Sequence, residues 1–223
     1  MAEKQRLDRE AMALRAAKEF KDGMVVNLGI GIPTLCVNFI PEGREVLFHT
    51  ENGALNFGPI ATAEEADLDL INAGGQFITT KPGMSFFSHD DSFAMIRGGH
   101  VDLCVLGGMQ VSEKGDLANW LLPERGIGSI GGAMDLAVGA KKLIVVMEHT
   151  TKDGKFRIID KCTYELTASG CTAIIITDIA VIEVSKDGLI LKETAPGWSA
   201  EEIQALTGPK LIIAPDLKEI ELL

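Results

Sequence analysis

What most constrains this chain is a recurring unit: a short, largely apolar run that ends in a glycine-rich or polar turn. Residues 24–28 (Met-Val-Val-Asn-Leu) run into Gly29-Ile30-Gly31, and residues 46–48 run into His49-Thr50-Glu51-Asn52-Gly53. Residues 101–106 end at Gly107-Gly108, and residues 143–147 end at Glu148-His149. Runs this short, with no polar alternation, are strands covered on both faces, the mark of a parallel sheet. Helical spacings lie between them. Leu7, Ala11, Leu14, Ala17 and Lys18 predict an amphipathic helix over 3–22, stopped by Gly23. Pro33 suits the first turn of a helix that runs to about Phe39. Asp90 or Asp91 caps a short helix through Arg97, and another starts near Ala133 and ends before Gly139. The alternation predicts an α/β fold with a mainly parallel open sheet flanked by helices.

The remaining segments fill out this plan. Residues 68–71 and 77–80 read as short strands, and residues 112–132 as loop-rich. Residues 173–177 and 179–184 read as strands, and Asp187-Gly188 as a hairpin turn before residues 189–191. Ser199 with Glu202 forms a capping box, and residues 210–214 form a last strand. The sheet is therefore expected to carry an antiparallel hairpin toward the C-terminus. No repeat or linker divides the chain, so residues 1–223 are expected to form a single domain. Ligands of such sheets bind outside the carboxyl ends of the strands. Four turns lie there on this reading, after Leu28, Phe48, Leu106 and Met147.

Charge and cysteine usage exclude several roles. A net charge of −11 and the absence of a basic cluster argue against nucleic acid. No apolar run approaches the ~20 residues that span a bilayer. The charged start, residues 1–6, lacks the apolar core of a signal peptide. Cys36, Cys104, Cys162 and Cys171 form no C-x-x-C pair and read as reduced thiols. A cytoplasmic location is expected.

Glu51 stands out against this background. Glutamate is costly to bury unpartnered, yet this one sits where a core strand breaks into a glycine turn. Its bland reading is a half-exposed strand end. Gly29-Ile30-Gly31 invites a dinucleotide reading but fails G-x-G-x-x-G at Thr34, and neither a P-loop nor a G-x-S-x-G elbow is present. His49, His89, His100 and His149 lack ligand spacing, so no metal is expected. Gly131-Gly132-Ala133 stands where a helix begins, and free N–H groups there can face negative charge or merely serve a tight turn. Asn27, Asn52 and Asn119 are polar within apolar surroundings. Asn119 reads as a residue that satisfies a turn backbone.

Several longer stretches then converge. Residues 27–33 (Asn-Leu-Gly-Ile-Gly-Ile-Pro), Glu51-Asn52-Gly53, residues 69–74, residues 92–100, residues 115–120 and residues 131–136 together resemble the β subunit of family I CoA-transferases, the 3-oxoacid group (acetate/acetoacetate/butyrate type). The resemblance covers nearly the whole chain. It implies that Glu51 attacks an acyl-CoA and becomes a glutamyl-CoA thioester, from which a second carboxylic acid takes the CoA. It implies an oxyanion site at the Gly132 and Ala133 N–H groups, with Asn52 and Asn27 orienting Glu51. It implies CoA binding at Gly29, Gly31, Gly131, Asn72 and Gly74. No metal or cofactor is implied, because CoA is a substrate. A separate α subunit is implied, in an α₂β₂ assembly.

Two departures from that pattern stand out. Some relatives carry a Lys after Asn-Ala-Gly where this chain has Gly75. The residue after Ala54-Leu55 is Asn56, where glycine is commoner, and Asn56 is expected to alter which acyl group is accepted. Two other readings share the fold class: a sugar-phosphate isomerase using Glu51 as a general base, and a non-catalytic sensor domain. The acyl donor and the acid acceptor stay open.

Overall fold

The computed structural model describes residues 4–126 and 128–222. The first three residues of the chain, where the N-terminal helix was expected to begin, and Ile127 of the glycine-rich loop lie outside them. Helix α1 (Arg9–Ala17) starts where Asp8 accepts a hydrogen bond from the Ala11 N–H at 2.8 Å. It is shorter than its apolar spacing predicts, because the chain leaves helical geometry after Lys18 and turns at Gly23, with φ of 74°. Strand β1 (Val25–Leu28), helix α2 (Ile32–Leu35) with a 3-10 turn (Cys36–Phe39), and strand β2 (Leu47–Thr50) follow. Next come β3 (Ala54–Leu55), β4 (Ser85–Phe86), α3 (His89–Arg97) and β5 (Leu103–Gly107). The middle of the chain holds β6 (Gln110–Ser112), β7 (Leu117–Ala118), α4 (Ala133–Gly139) and β8 (Leu143–Met147). The rest holds β9 (Ile158–Ile159), β10 (Thr172–Thr177), β11 (Ala180–Ser185), β12 (Gly188–Thr194), α5 (Ala200–Gln204) and β13 (Leu211–Glu219).

Ten strands form one sheet in the order β13-β12-β11-β10-β8-β5-β1-β2-β3-β4. Its centre, β10-β8-β5-β1-β2, is parallel throughout. The apolar runs follow from this position. Leu103, Val105, Ile144 and Val146 pack on one face with Met12, Ala13 and Ala16 of α1. Cys104, Leu106, Leu143, Val145 and Met147 pack on the other face with Ile96 of α3, Leu136 of α4 and Ile203 of α5. Both faces are covered, so alternation would have left polar groups in a core. Arg15 of α1 reaches Glu193 of β12 through two hydrogen bonds, at 2.7 and 2.9 Å, and ties the first helix to the C-terminal strands.

Several details differ from expectation. Residues 68–71 and 77–80 form no strands and hold only isolated bridges, Ile71 to Phe77 and Ile78 to Ile60. Ser88, not Asp90 or Asp91, caps α3: its hydroxyl accepts from the Asp91 N–H, and both aspartates sit in the first turn, where the helix dipole favours them. The hairpin between β11 and β12 turns on Lys186-Asp187, and Gly188 opens β12 at φ of 127°. The capping box at Ser199 and Glu202 is present. Strand β13 runs on past Ala214, and its register against β12 shifts between Leu191 and Glu193, which accommodates Pro215 without a ladder N–H. The loop-rich stretch conceals a small second sheet, β7-β6-β9.

Candidate active site

Parallel strands β1, β2 and β5 all end on the same side of the sheet. Their turns, the loop at residues 72–74 and the segment 129–133 enclose a cavity of about 420 Å³. Glu51 is the first residue after β2 and stands in its wall. Asn27 lies opposite His49 in the parallel register of β1 and β2, which brings its amide beneath Glu51. The Asn27 Nδ2 group lies 3.2 Å from Glu51 Oε2, 3.1 Å from His49 Nδ1 and 3.2 Å from the His49 carbonyl. Asn27 is fully buried. Its Oδ1 faces the Cys104 thiol at 4.0 Å. Burial holds that thiol well above its ordinary pKa, with the Glu51 charge adding to the effect, so Cys104 stays protonated beside the carboxylate.

Glycine is needed here for space and for turning. A Cβ at Gly29 would lie 3.0 Å from Leu106 Cδ2 and 3.2 Å from the Val105 carbonyl, to which the Gly29 N–H donates at 2.8 Å. Gly53 reverses the chain from β2 into β3 at φ of 122°, and a Cβ there would clash with the Phe87 carbonyl.

The backbone N–H groups at the start of α4 differ in their partners. The Ala133 N–H donates to the Ile130 carbonyl at 3.2 Å and is thereby occupied. Among the described residues no acceptor bonds the Gly131 or Gly132 N–H. Gly132 packs beside Glu51: a Cβ there would lie 3.6 Å from Glu51 Cγ and 3.0 Å from Phe93 Cζ. Ala133 lines the cavity, but its N–H is turned to the Ile130 carbonyl.

Asn52 is placed differently from expectation. It does not reach the Glu51 carboxylate. Its Nδ2 donates to the Ile71 carbonyl at 2.8 Å, and its Oδ1 accepts from the Thr50 hydroxyl at 2.8 Å. The same hydroxyl accepts from the Ala73 N–H. Asn52 and Thr50 thus moor the loop at residues 71–74 across the end of β2. Within that loop Asn72 Oδ1 accepts from the Gly74 and Gln76 N–H groups, so its amide organises the turn while lining the cavity with Gly74.

Gly29 and Gly131 line the cavity, whereas Gly31 does not; it takes φ of 95° beside the Arg9 side chain, ahead of α2. Asn119 lines it with both amide ends engaged, on the Gly107 carbonyl and the Thr167 hydroxyl, as a turn-satisfying residue. Asn56 does not reach the cavity. At φ of 62° it turns toward the Pro82 carbonyl, and its Oδ1 is buried without a partner. Gly75 lies at a turn, φ of 76°, with open space at its Cβ position.

The turn after Met147 also stays away from the cavity. His149 is fully buried between the Thr177 and Thr207 hydroxyls, each at 2.9 Å. His49 is likewise buried and hydrogen-bonded, and burial lowers its pKa to about 4. The sequence offered no sign that it would meet Asn27, since its contacts come from β1 and α3. Among the described lining residues none is Lys or Arg. Among the described residues no cluster of ligand-type side chains suits a metal ion, and no helix is long and apolar enough to cross a membrane.

Comparison with known proteins identifies the family. Residues 9–206 match the family model described as coenzyme A transferase. The B-type subunit of the succinyl-CoA:3-ketoacid coenzyme A transferase of Helicobacter pylori is 51% identical over 199 residues, covering 89% of this chain and 96% of the relative. The B-type subunit of the 3-oxoadipate CoA-transferase of Acinetobacter baylyi is 48% identical over 211 residues, covering 94% and 97%. Against the mitochondrial succinyl-CoA:3-ketoacid coenzyme A transferase 2A of Rattus norvegicus the identity is 51% over 209 residues, but this chain spans 40% of that protein's length. An acyl-CoA transferase from Escherichia coli O157:H7 shares the fold at a TM-score of 0.76 and 24% identity, covering 97% of this chain and 44% of that one.

Proposed function

Because the chain belongs to the coenzyme A transferase family, we propose that it is the β half of an enzyme that moves CoA between a 3-oxoacid or short-chain acid and a second carboxylic acid, with Glu51 as the covalent carrier. The observation that carries this reading is the Glu51 carboxylate held by Asn27 in the wall of the cavity, with the Gly132 backbone packed against its side chain.

A carboxylate is a weak nucleophile but needs no base to ionise it at neutral pH, which fits a site whose nearby histidine is buried and neutral. One Glu51 oxygen bonds to the thioester carbonyl carbon, the C–S bond breaks, and CoA leaves as a thiolate. The thiolate then attacks the Glu51 side-chain carbonyl of the mixed anhydride. The bond from that carbon to the bridging oxygen breaks, the acyl group departs as its carboxylate, and Glu51 is left as a CoA thioester. A second carboxylate reverses both steps. Each attack gathers charge on an oxygen, and a fixed N–H donor at Gly132 is worth about 3–4 kcal/mol against it. Asn27 holds the second carboxylate oxygen so that the first faces the substrate.

The cavity supplies a nucleophile and a wall of backbone, with no cation for the phosphates of CoA among its described lining residues. Those contacts come from an α-type half, in an α₂β₂ complex, and this chain alone has little activity. Gly29, Gly131, Asn72 and Gly74 form the side of the CoA site that this chain contributes. The four cysteines are free thiols, consistent with a reducing cytoplasm. The test is steady-state kinetics of the complex with a donor and acceptor panel that includes succinyl-CoA, acetoacetate, 3-oxoadipate and butyrate. Parallel double-reciprocal lines for one pair are expected. Intersecting lines, which require a ternary complex, overturn the covalent carrier.

A further inference from the structure

Behind Glu51 a buried polar chain runs on from Asn27 to groups that the transferase chemistry does not itself call for. Asn27, His49 and Ser92 come from three different elements, β1, β2 and α3, and all are 2% exposed or less. Asn27 Nδ2 lies 3.1 Å from His49 Nδ1, and His49 Nε2 lies 3.0 Å from Ser92 Oγ. The imidazole also stacks on Phe87, centroids 6.0 Å apart and planes 16° apart. Three buried polar side chains in a row are costly unless each is satisfied, so the arrangement has one consistent set of donors.

That set can be worked out. The Asn27 amide nitrogen must point at Glu51, because its oxygen there would oppose a carboxylate. The Cys104 thiol on the other side of Asn27 suits the amide oxygen as a weak donor. The second Asn27 N–H is shared between the His49 carbonyl and His49 Nδ1, so Nδ1 faces a donor and carries a lone pair. The proton of the neutral ring sits on Nε2 and is donated to Ser92 Oγ. A proton on Nδ1 would turn the Asn27 amide over and bring its oxygen against Glu51.

We infer that His49 is a positioning residue: as the Nε2–H tautomer it fixes the orientation of the Asn27 amide, and through it the rotamer of the Glu51 nucleophile. Ser92 extends the chain into α3, whose Phe93 lies against Gly132. Nucleophile and oxyanion donor are therefore referenced to the same helix. Burial, which keeps the ring neutral, supports this assignment. Glu51, at the end of β2, and Cys104, on β5, are the ionisable groups that approach the Asn27–His49 pair among the contacts described. The inference rests on the transferase reading for its kinetic effect but not for its geometry.

Two measurements on the full chain, co-expressed with the α-type half, test it. The first needs no substrate. The chain has four histidines, so 15N-histidine labelling with His49→Phe as the assignment control resolves the ring. A neutral Nε2–H ring is expected; an Nδ1–H or protonated ring at neutral pH overturns the inference. The second compares variants. His49→Phe keeps the stack and removes both nitrogens, His49→Gln restores a group near Nε2, and His49→Asn restores an acceptor near Nδ1. The kcat of His49→Phe is expected to fall about 10- to 100-fold, the scale of a misplaced reacting group, with KM for the CoA donor nearly constant. His49→Asn is expected to recover more than His49→Gln. In an Asn27→Ala background the His49→Phe change is expected to be silent. Equal rescue by Gln and Asn, or undiminished kcat in His49→Phe, overturns the positioning role. A wild-type complex that turns over no CoA donor while showing the Nε2–H ring contradicts the transferase reading alone.

Discussion

Asn27→Asp is nearly isosteric and changes one group, NH₂ to O. It therefore isolates what the amide does for Glu51. In the native site Nδ2 lies 3.2 Å from Glu51 Oε2. The substitution replaces an attractive contact with two carboxylate oxygens at the same separation. Two unit charges at that distance repel by about 5 kcal/mol at an effective dielectric of ~20. Like charges so close do not both stay ionised: either the pair shares a proton or Glu51 swings away. Both outcomes remove the nucleophile. If only half of that repulsion reaches the transition state, kcat falls roughly 100-fold. Asn27→Ala loses only a charge-assisted hydrogen bond, about 1.5–3 kcal/mol, and so sets a milder reference. The assay is CoA transfer at neutral pH in the reconstituted complex, with thermal melts to show that each variant folds. The expected order is native, then Asn27→Ala, then Asn27→Asp. An Asn27→Asp enzyme as active as Asn27→Ala, or better, refutes the claim that this amide orients the carboxylate.

Other outcomes follow from the same geometry. Gly53→Ala combines a left-handed φ of 122° with a Cβ that clashes with the Phe87 carbonyl. It should destabilise the chain by about 3 kcal/mol, read as a shift in the urea midpoint. Burial lowers both His49 and His149 from 6.5 to about 4. A histidine depressed in the folded state takes up its proton first when unfolded, so its stabilisation is complete above pH 6.5 and is lost as the pH falls toward 4. The slope is up to about 1.4 kcal/mol per pH unit for each ring, and a urea midpoint that is flat from about pH 7 to pH 5 would contradict it. Asn56→Gly relieves a left-handed backbone and an unpartnered buried Oδ1, and should raise stability by about 1 kcal/mol without reordering a donor panel. A changed donor ranking would show that residue 56 influences acyl choice after all.

The parts of this site that were legible in the sequence are those fixed by local chemistry. The apolar runs at 101–106 and 143–147 could only be strands covered on both sides, and they are, as β5 and β8. The carboxylate at Glu51 stood out where a core strand breaks into a glycine turn, but its proposed role as nucleophile came from the resemblance to the CoA-transferase family, not from that placement alone. What stayed hidden depends on partners distant in sequence. His49 is one residue at the end of an apolar run until β1 and α3 bring Asn27 and Ser92 to its two nitrogens. Asn52 adjoins Glu51 in sequence, yet the turn at Gly53 sends its side chain to the Ile71 carbonyl. The Ala133 N–H looked free at a helix start, but Ile130 occupies it. Asn56 follows the same rule: closeness to the nucleophile along the chain gave it no access to the cavity, because its left-handed backbone carries the side chain toward Pro82.

The central claim is a CoA thioester on the side-chain carboxyl carbon of one residue, Glu51. It is tested most directly by mass spectrometry of the complex after brief exposure to an acyl-CoA donor and trapping with hydroxylamine. The account predicts a hydroxamate on the peptide containing Glu51, abolished by Glu51→Gln and strongly reduced by Asn27→Asp. An adduct on another residue such as Cys104, or none with any of several donors that bind, would contradict it.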